Sequence, residues 1–232
     1  MQIIESTPWA VRSAVMHLES NSDTASFTLF PMIHVGEPAF YSEVTRRLEA
    51  CDTILCEGIK SPVGNLLTMS YRFYADVPRV DLVLQNNQLN LSKFEERLVH
   101  ADVTGSAFEK RWSELPFWQR YGLPLAAPLF GLYMRHFGTR ADVATGMSMN
   151  LKKTRHESLE GPDLGQAGEI ILDWRDRHLI DVIAREQAKS DGKKLNIGVL
   201  FGARHMRAVL RHLLWVRGFK VVESEWVTVF DL

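Results

Sequence analysis

The sequence predicts an α/β protein with a mostly parallel sheet flanked by helices and a helical insertion at about residues 104–165. Apolar runs at residues 27–33, 53–56 and 197–201 support this fold class, since such runs are typical of strands buried on both faces of a parallel sheet. A helical pattern follows the first and the last run at once. Strands that alternate with helices in this way are typical of α/β proteins.

The N-terminal part of this pattern forms a strand, a helix and a second strand. Phe40, Val44 and Leu48 recur every fourth residue, and Pro38 lies in the first turn, so the spacing predicts a helix over residues 37–50. A helix that connects two neighbouring strands implies that the strands run parallel, joined by a right-handed crossover.

Shorter elements are expected in the middle of the chain. The pattern favours a helix over residues 63–75 and a short strand over residues 80–84. Ser92, with Glu95 three residues later, predicts a capping box at the start of another helix. Residues 99–103 are typical of a strand that ends near an aspartate.

Residues 104–165 differ in composition, because aromatic residues, prolines and glycines accumulate there. We interpret them as a helical insertion within a single domain of residues 1–232. Its longest apolar stretch, residues 121–137, contains Pro124 and Pro128 and is too short to cross a bilayer. We expect this stretch to cover one face of the fold, with docking on a membrane surface as the alternative.

The C-terminal part predicts further helices and strands in alternation. In chain order they are a helix over 169–188, a strand over 197–201, a helix over 206–216 and strands over 219–222 and 226–230. Gly218 lies where a glycine commonly ends a helix.

Composition limits the possible functions. The 232 residues contain 27 basic and 28 acidic side chains, so the net charge of −1 argues against a nucleic-acid partner. The N-terminal residues have no apolar core of signal-peptide length, and we expect a cytoplasmic protein. Cys51 and Cys56 fit core packing in a reducing compartment.

Three polar side chains follow the predicted strands at the points where the strands end. They are His34, Glu57 and His205. Open α/β sheets bind ligands beyond the carboxyl ends of their strands, so we expect these side chains to converge. Two imidazoles and a carboxylate suit zinc, manganese, cobalt or ferrous iron. A metal held there would activate water and polarise a carbonyl, as ester or amide hydrolysis requires.

The same residues are also compatible with chemistry that needs no metal. Glu57 could act as a general base through a water molecule without any metal. A histidine at a strand end is also often an ordinary loop residue. The sequence has no Gly-x-Ser-x-Gly motif and no glycine-rich phosphate loop, which argues against a serine hydrolase and a nucleotide-binding enzyme.

Several segments resemble the TraB/GumN/Tiki family, which is related to the ChaN and erythromycin-esterase-like folds. Residues 30–34, 55–58 and 202–205 resemble its two Gly-x-x-His motifs and the acidic residue after its second strand. Residues 174–179 resemble its Arg-(Asp/Asn) helix, and residues 99–103 its strand ending in aspartate. One departure is a proline, at position 31, where the family has the glycine of its first motif.

The resemblance implies a role for each site residue. His34, Glu57 and His205 would form a metal or catalytic centre with a divalent ion, manganese, cobalt or zinc. Arg175 would stabilise an oxyanion or hold Glu57 or Asp102 in place. Asp102 would orient an imidazole.

Two functions from different classes use the cleft, beside a third in which the protein is a membrane-associated interaction module whose residues 121–137 dock on lipid or a partner. The first is a metal-dependent hydrolase of peptide or ester bonds, such as a metallopeptidase, with a peptide or small-molecule substrate. The second is a binding protein without turnover that holds haem, a small ligand or a signalling peptide in the same cleft. The sequence leaves the oligomeric state open.

Overall fold

The protein has an α/β fold with one large mixed sheet flanked by helices, which confirms the predicted fold class. The computed structural model describes residues 1–75, 77–145, 147, 149–150 and 164–232. Within the described residues the strands are β1 (Gln2–Ser6), β2 (Ala10–Glu19), β3 (Ala25–Met32), β4 (Val35–Gly36), β5 (Thr53–Cys56), β6 (Val83–Leu84), β7 (Leu98–His100), β8 (Met149–Asn150), β9 (Leu195–Gly202) and β10 (Lys220–Asp231).

The helices occupy the connections between these strands. They are α1 (Pro38–Leu48), α2 (Pro62–Arg72), α3 (Gln85–Gln88), α4 (Gly105–Ser113), α5 (Phe117–Phe137), α6 (Arg140–Ala144), α7 (Gly165–Gly168), α8 (Trp174–Ala188) and α9 (Ala203–Arg211). A 3₁₀ helix spans Ser92–Arg97, and π-helical turns span Glu169–Asp173 and His212–Val216.

The sheet has a parallel part and an antiparallel part. Strands β7, β5, β9 and β3 are neighbours in that order, and all three pairings are parallel. Beside β3, strand β2 pairs antiparallel with β1, β3 and β10, while β8 pairs with β1. Strands β4 and β6 form a separate two-stranded sheet. The parallel part brings the carboxyl ends of β3, β5 and β9 to one edge.

Helix α1 forms where its spacing predicts. Phe40, Val44 and Leu48 are buried, and Pro38 is the first helical residue. Proline is favoured there because its missing N–H would have no partner within the first turn. The buried side chains belong to the main hydrophobic core on the sheet.

Several predicted elements differ in detail. Ser92 lies inside a 3₁₀ helix whose N-cap, Leu91, makes no side-chain capping bond, so the predicted capping box is wrong. The predicted helix over 169–188 is helical throughout, but its first five residues form a π-helical turn. The two predicted C-terminal strands form one continuous strand, β10. Strands β1 and β2 were not predicted from the sequence.

The predicted insertion contains α4, α5 and α6, while residues 146, 148 and 151–163 of it lie outside the described residues. Helix α5 includes both Pro124 and Pro128. Proline at 124 has no N–H to offer the carbonyl of Arg120, and the indole Nε1 of Trp112 donates to that carbonyl instead, at 3.0 Å. Trp112 thereby connects α4 to α5.

The expected cover of the fold by residues 121–137 is only half correct. One side of α5 packs against α2, where Gly131 lies against the backbone of Met69 and Ser70. The other side is exposed, and Leu125 and Leu129 each retain 67% of their accessible surface. No helix among the described residues has the length and apolarity needed to cross a membrane.

Candidate functional site

The three parallel strand ends place polar groups at one edge of the sheet. His34 follows β3 by two residues, Glu57 directly follows β5, and His205 lies in the first turn of α9 directly after β9. The backbone N–H of Glu57 donates to the carbonyl of Leu200 at 3.2 Å, which extends the ladder between β5 and β9 to the candidate site.

Glu57 is held by a bond at each carboxylate oxygen. Arg175 Nη2 donates to Oε1 at 2.6 Å, and the backbone N–H of Gly202 donates to Oε2 at 2.6 Å. A Cβ atom at position 202 would lie 3.0 Å from Oε2, which is tighter than ordinary contact. Glycine therefore lets the end of β9 approach the carboxylate closely.

Arg175 is buried between two carboxylates. Its Nε donates to Asp102 Oδ1 at 2.9 Å, and its Nη2 donates to Asp102 Oδ2 at 2.6 Å, a bidentate geometry. Its Nη1 donates to the carbonyl of Ile171, inside the π-helical turn, at 3.1 Å. π turns often occur at functional sites, and this one comes directly before the helix that carries Arg175.

Asp102 anchors the guanidinium and the loops around it. Besides the two bonds to Arg175, it accepts the backbone N–H of Gly58 at 3.1 Å and that of Val103 at 2.8 Å. Its side chain is completely buried. Arg175 thus holds both Glu57 and Asp102, as the family resemblance implies. None of the hydrogen bonds that Asp102 makes with the described residues involves an imidazole.

Asp176 is the carboxylate that contacts His205. Its Oδ1 lies 2.6 Å from Nδ1 of His205, while Nε2 of the same ring lies 3.6 Å from Glu57 Oε1. Burial alone would lower the pKa of His205, but the hydrogen bond to Asp176 and the contact with the Glu57 carboxylate outweigh burial and raise this pKa to about 9. The imidazole is therefore a cation at neutral pH.

The same contacts keep Glu57 ionised. Burial alone would raise the pKa of Glu57, yet the contact with His205 and the charges of Arg175, His205 and His34 hold this pKa well below its usual range. A carboxylate with such a low pKa is a weak proton acceptor.

His34 lies near the same charged groups as His205, but in a more exposed environment. The residue is exposed, and its ring stacks on that of Tyr71, with centroids 4.7 Å apart and an angle of 12° between the planes. Surrounding protein atoms lower the pKa of His34 by desolvation; Glu57 opposes this effect, and Arg175 and His205 add to it.

The residue that departs from the family motif fits its place in β3. Pro31 is in register with Phe201 of β9, and β2 pairs with β3 only as far as Leu29. At position 31 the edge toward β2 requires no N–H donor, and Ser13 Oγ donates to the carbonyl of Pro31 at 2.7 Å. The proline therefore leaves the strand end in front of His34 intact.

The described residues do not form a ready-made site for a divalent metal. Among the described residues, no group of three His, Cys, Asp or Glu side chains lies close enough to hold an ion. Both oxygens of Glu57 already accept bonds, one of them from the guanidinium of Arg175. Metal binding by His34, Glu57 and His205 stays a prediction.

Two contributors to the cleft were not predicted as site residues. Asp176 is part of the segment that resembles the family's Arg-(Asp/Asn) helix, which is the one signal that could have found it. Tyr71 is on α2, and nothing in its local sequence indicates that it stacks on His34. His100, at the end of β7, is exposed, and its Nε2 donates to the carbonyl of Gly58 at 2.5 Å.

Comparisons with known proteins identified no relative of this chain. No family model, no curated protein and no solved structure matches the chain.

Proposed function

We propose that the protein hydrolyses ester or peptide bonds with His34 as the general base and His205 as the general acid. One observation carries the proposal: two imidazoles share a cleft around one anchored carboxylate, with opposite environments. Neighbouring groups whose surroundings push their pKa values apart are suited to opposite roles in acid–base catalysis.

His34 suits the acceptance of a proton from water. The residue is accessible to solvent, and partial desolvation of its ring by the surrounding protein favours its neutral form. Stacking on Tyr71 fixes the ring plane, so the direction of the lone pair is defined. Water that loses a proton to His34 would attack the carbonyl carbon of the substrate.

His205 suits the donation of a proton to the leaving group. The 3.6 Å between its Nε2 and Glu57 Oε1 exceeds a normal hydrogen bond, so this N–H is not fully engaged by the protein. His34 takes one proton from water, and His205 gives one proton to the leaving oxygen or nitrogen. The two proton transfers therefore balance over one cycle. Glu57 and Asp176 keep His205 charged, and Arg175 holds Glu57.

The hydrolase requires no metal in this form. The predicted metal-dependent reaction remains the alternative, and a single assay separates the two. Hydrolysis of p-nitrophenyl acetate and of a fluorogenic casein substrate is measured after chelation and again with added manganese or zinc. We expect the rate to be unchanged by chelation and by either ion. A rate that appears only with added metal supports the metallopeptidase instead.

Substitution of His34 is the sharpest test of the assignment. Because the side chain is exposed, His34→Ala should leave the melting temperature unchanged while it lowers the rate by at least about 100-fold, the usual contribution of a general base. His136→Ala, which removes an exposed histidine on α5, is the matched control and should retain full activity. Equal activity of both variants excludes His34 as the base.

A binding protein without turnover is the second candidate. The guanidinium of Arg175 and the carboxylates of Glu57 and Asp102 satisfy one another, which leaves His34 as the most accessible of the predicted site residues. An exposed imidazole stacked on an aromatic ring could bind haem iron or a flat ligand. A Soret shift on haem addition that His34→Ala removes, without hydrolysis of either substrate, favours this candidate.

We keep a cytoplasmic setting as part of the proposal. Cys51 and Cys56 are both unpaired. Unpaired cysteines are typical of reducing compartments.

A further inference from the structure

The outer face of α5 carries a continuous row of exposed apolar side chains. Every fourth residue along the helix contributes, and neighbouring positions widen the row. The row consists of Phe117, Tyr121, Leu125, Leu129, Tyr133 and Phe137, and Trp118, Phe130 and Leu132 flank it. The six members of the row are between 45% and 80% exposed. We call these nine residues the α5 face.

This face is larger than ordinary surface hydrophobicity accounts for. A helix of 21 residues is about 31 Å long, and the row runs from its first residue to its last. Scattered apolar residues on a surface need no partner, whereas a contiguous patch of this length indicates a binding surface.

The two chain segments that form α2 and α5 carry only positive charges. Residues 58–75, which include α2, and residues 115–138, which include α5, contain no aspartate or glutamate. They contain Lys60, Arg72, Arg120 and Arg135, although the whole chain has a net charge of −1. An anionic surface therefore complements this part of the molecule.

Helix α5 is fixed to the protein along its inner side. A Cβ atom on Gly131 would lie 2.7 Å from the carbonyl oxygen of Ser70, so α2 and α5 are in close backbone contact. Arg135 Nη1 donates to the carbonyl of Phe73 at 3.2 Å. A helix held in this way presents one side only, and it would lie along a surface.

We propose that the α5 face binds the surface of an anionic phospholipid bilayer, with the helix parallel to the membrane plane. Trp118, Tyr121 and Tyr133 have the amphipathic rings that favour the headgroup level, and leucines between them would reach the acyl boundary. Arg120 and Arg135, near the ends of the helix, each donate one N–H to a backbone carbonyl of the protein, and their remaining N–H groups would contact lipid phosphates.

A second copy of the chain fits this face less well. A two-fold interface pairs a patch with itself, so the basic residues of both copies would approach one another. The two segments supply no carboxylate to neutralise them. A bilayer supplies both the apolar depth and the negative charge.

Membrane docking would also bring the candidate site close to the lipid. Helix α2 lies between the two features, because Ser70 contacts α5 while the next residue, Tyr71, stacks on His34. The docking proposal does not depend on the proposed hydrolase, since lipid binding is measured without any substrate.

Flotation of the purified full chain with vesicles tests the proposal. We expect the protein to float with vesicles of phosphatidylcholine and phosphatidylglycerol, and to float less at high salt or with phosphatidylcholine alone. Leu125→Ser combined with Leu129→Ser should weaken binding at least about tenfold, because each serine removes apolar area from the interface. The melting temperature of this variant should match that of the wild type, since both leucines are exposed.

The control removes an equal exposed apolar surface elsewhere. Trp215 and Val216, in the π turn after α9, are 68% and 71% exposed, and Trp215→Ser combined with Val216→Ser should bind vesicles as the wild type does. A wild type that never floats overturns the proposal, as does an equal loss in both variants. A dimer in solution that only the α5 variant dissociates, without flotation, also overturns it and identifies the face as a contact between copies.

Discussion

Asp176 Oδ1 and His205 Nδ1 are 2.6 Å apart, across the contact between α8 and α9. A histidine that donates from Nδ1 to a carboxylate has a fixed ring orientation, and its other nitrogen faces away from that carboxylate. Here Nε2 faces Glu57. The pair therefore defines both the charge and the direction of the imidazole in the candidate site.

Replacement of Asp176 should change the charge of His205. In Asp176→Asn one of the hydrogen bonds that raise the pKa of His205 is lost, and we expect the pKa to fall from about 9 toward 6.5. Activity at neutral pH should fall at least about tenfold, because less of the imidazole carries its proton. Imidazole chemical shifts recorded by NMR across pH measure the first effect. Asp181→Asn, an exposed position on the same helix, should change neither.

Removal of the guanidinium should destabilise the fold. Arg175→Met leaves the completely buried carboxylate of Asp102 without its cation, and unfolding by urea should show a loss of about 3–5 kcal/mol. Arg177→Met is the matched control on the same helix. Its partner Glu169 is 3.4 Å away and both side chains are more than half exposed, so the loss should stay below about 1 kcal/mol. Equal losses would mean that the buried cluster contributes no more than a surface pair.

There is a physical reason why the sequence did not predict strand β2. β2 is buried along most of its length, yet its run of apolar residues is broken by Arg12 and Ser13. The structure satisfies both of them, since Arg12 pairs with Glu5 of β1 and Ser13 Oγ bonds the carbonyl of Pro31. Partners this specific exist only in the folded sheet, so the local pattern could not indicate a buried strand.

The candidate site, too, was only partly predictable from the sequence. The sequence locates His34, Glu57 and His205, because strand ends can be read from apolar runs and the ends of neighbouring parallel strands meet at one edge. Tyr71 and the role of Asp176 depend on how helices pack over that edge. Helix packing is set by side chains far apart in sequence, which a local pattern does not contain.

The stability of the protein should fall as pH rises through about 9. The pKa of His205 is near 9 in the folded state and 6.5 in the unfolded state, so the folded state holds this proton more tightly. The contribution is complete below pH 6.5 and is lost as pH rises through about 9. Urea midpoints measured on both sides of this window should decrease, and His205→Gln should reduce that decrease. A midpoint that falls equally in the wild type and in His205→Gln would assign the effect to other groups.

Two glycines of α5 should respond to alanine in opposite directions. At Gly131 an added Cβ would lie 2.7 Å from the carbonyl oxygen of Ser70 on α2, whereas at Gly122 it would meet no atom within 4 Å. We expect Gly131→Ala to separate α5 from α2 and to destabilise the protein by about 1–3 kcal/mol, the usual cost of overpacking. Gly122→Ala should stabilise by about 0.5–1 kcal/mol, because alanine favours a helix interior. Thermal unfolding measures both. If Gly131→Ala is as stable as Gly122→Ala, then α5 does not rest against α2, and the fixed position of the α5 face loses its basis.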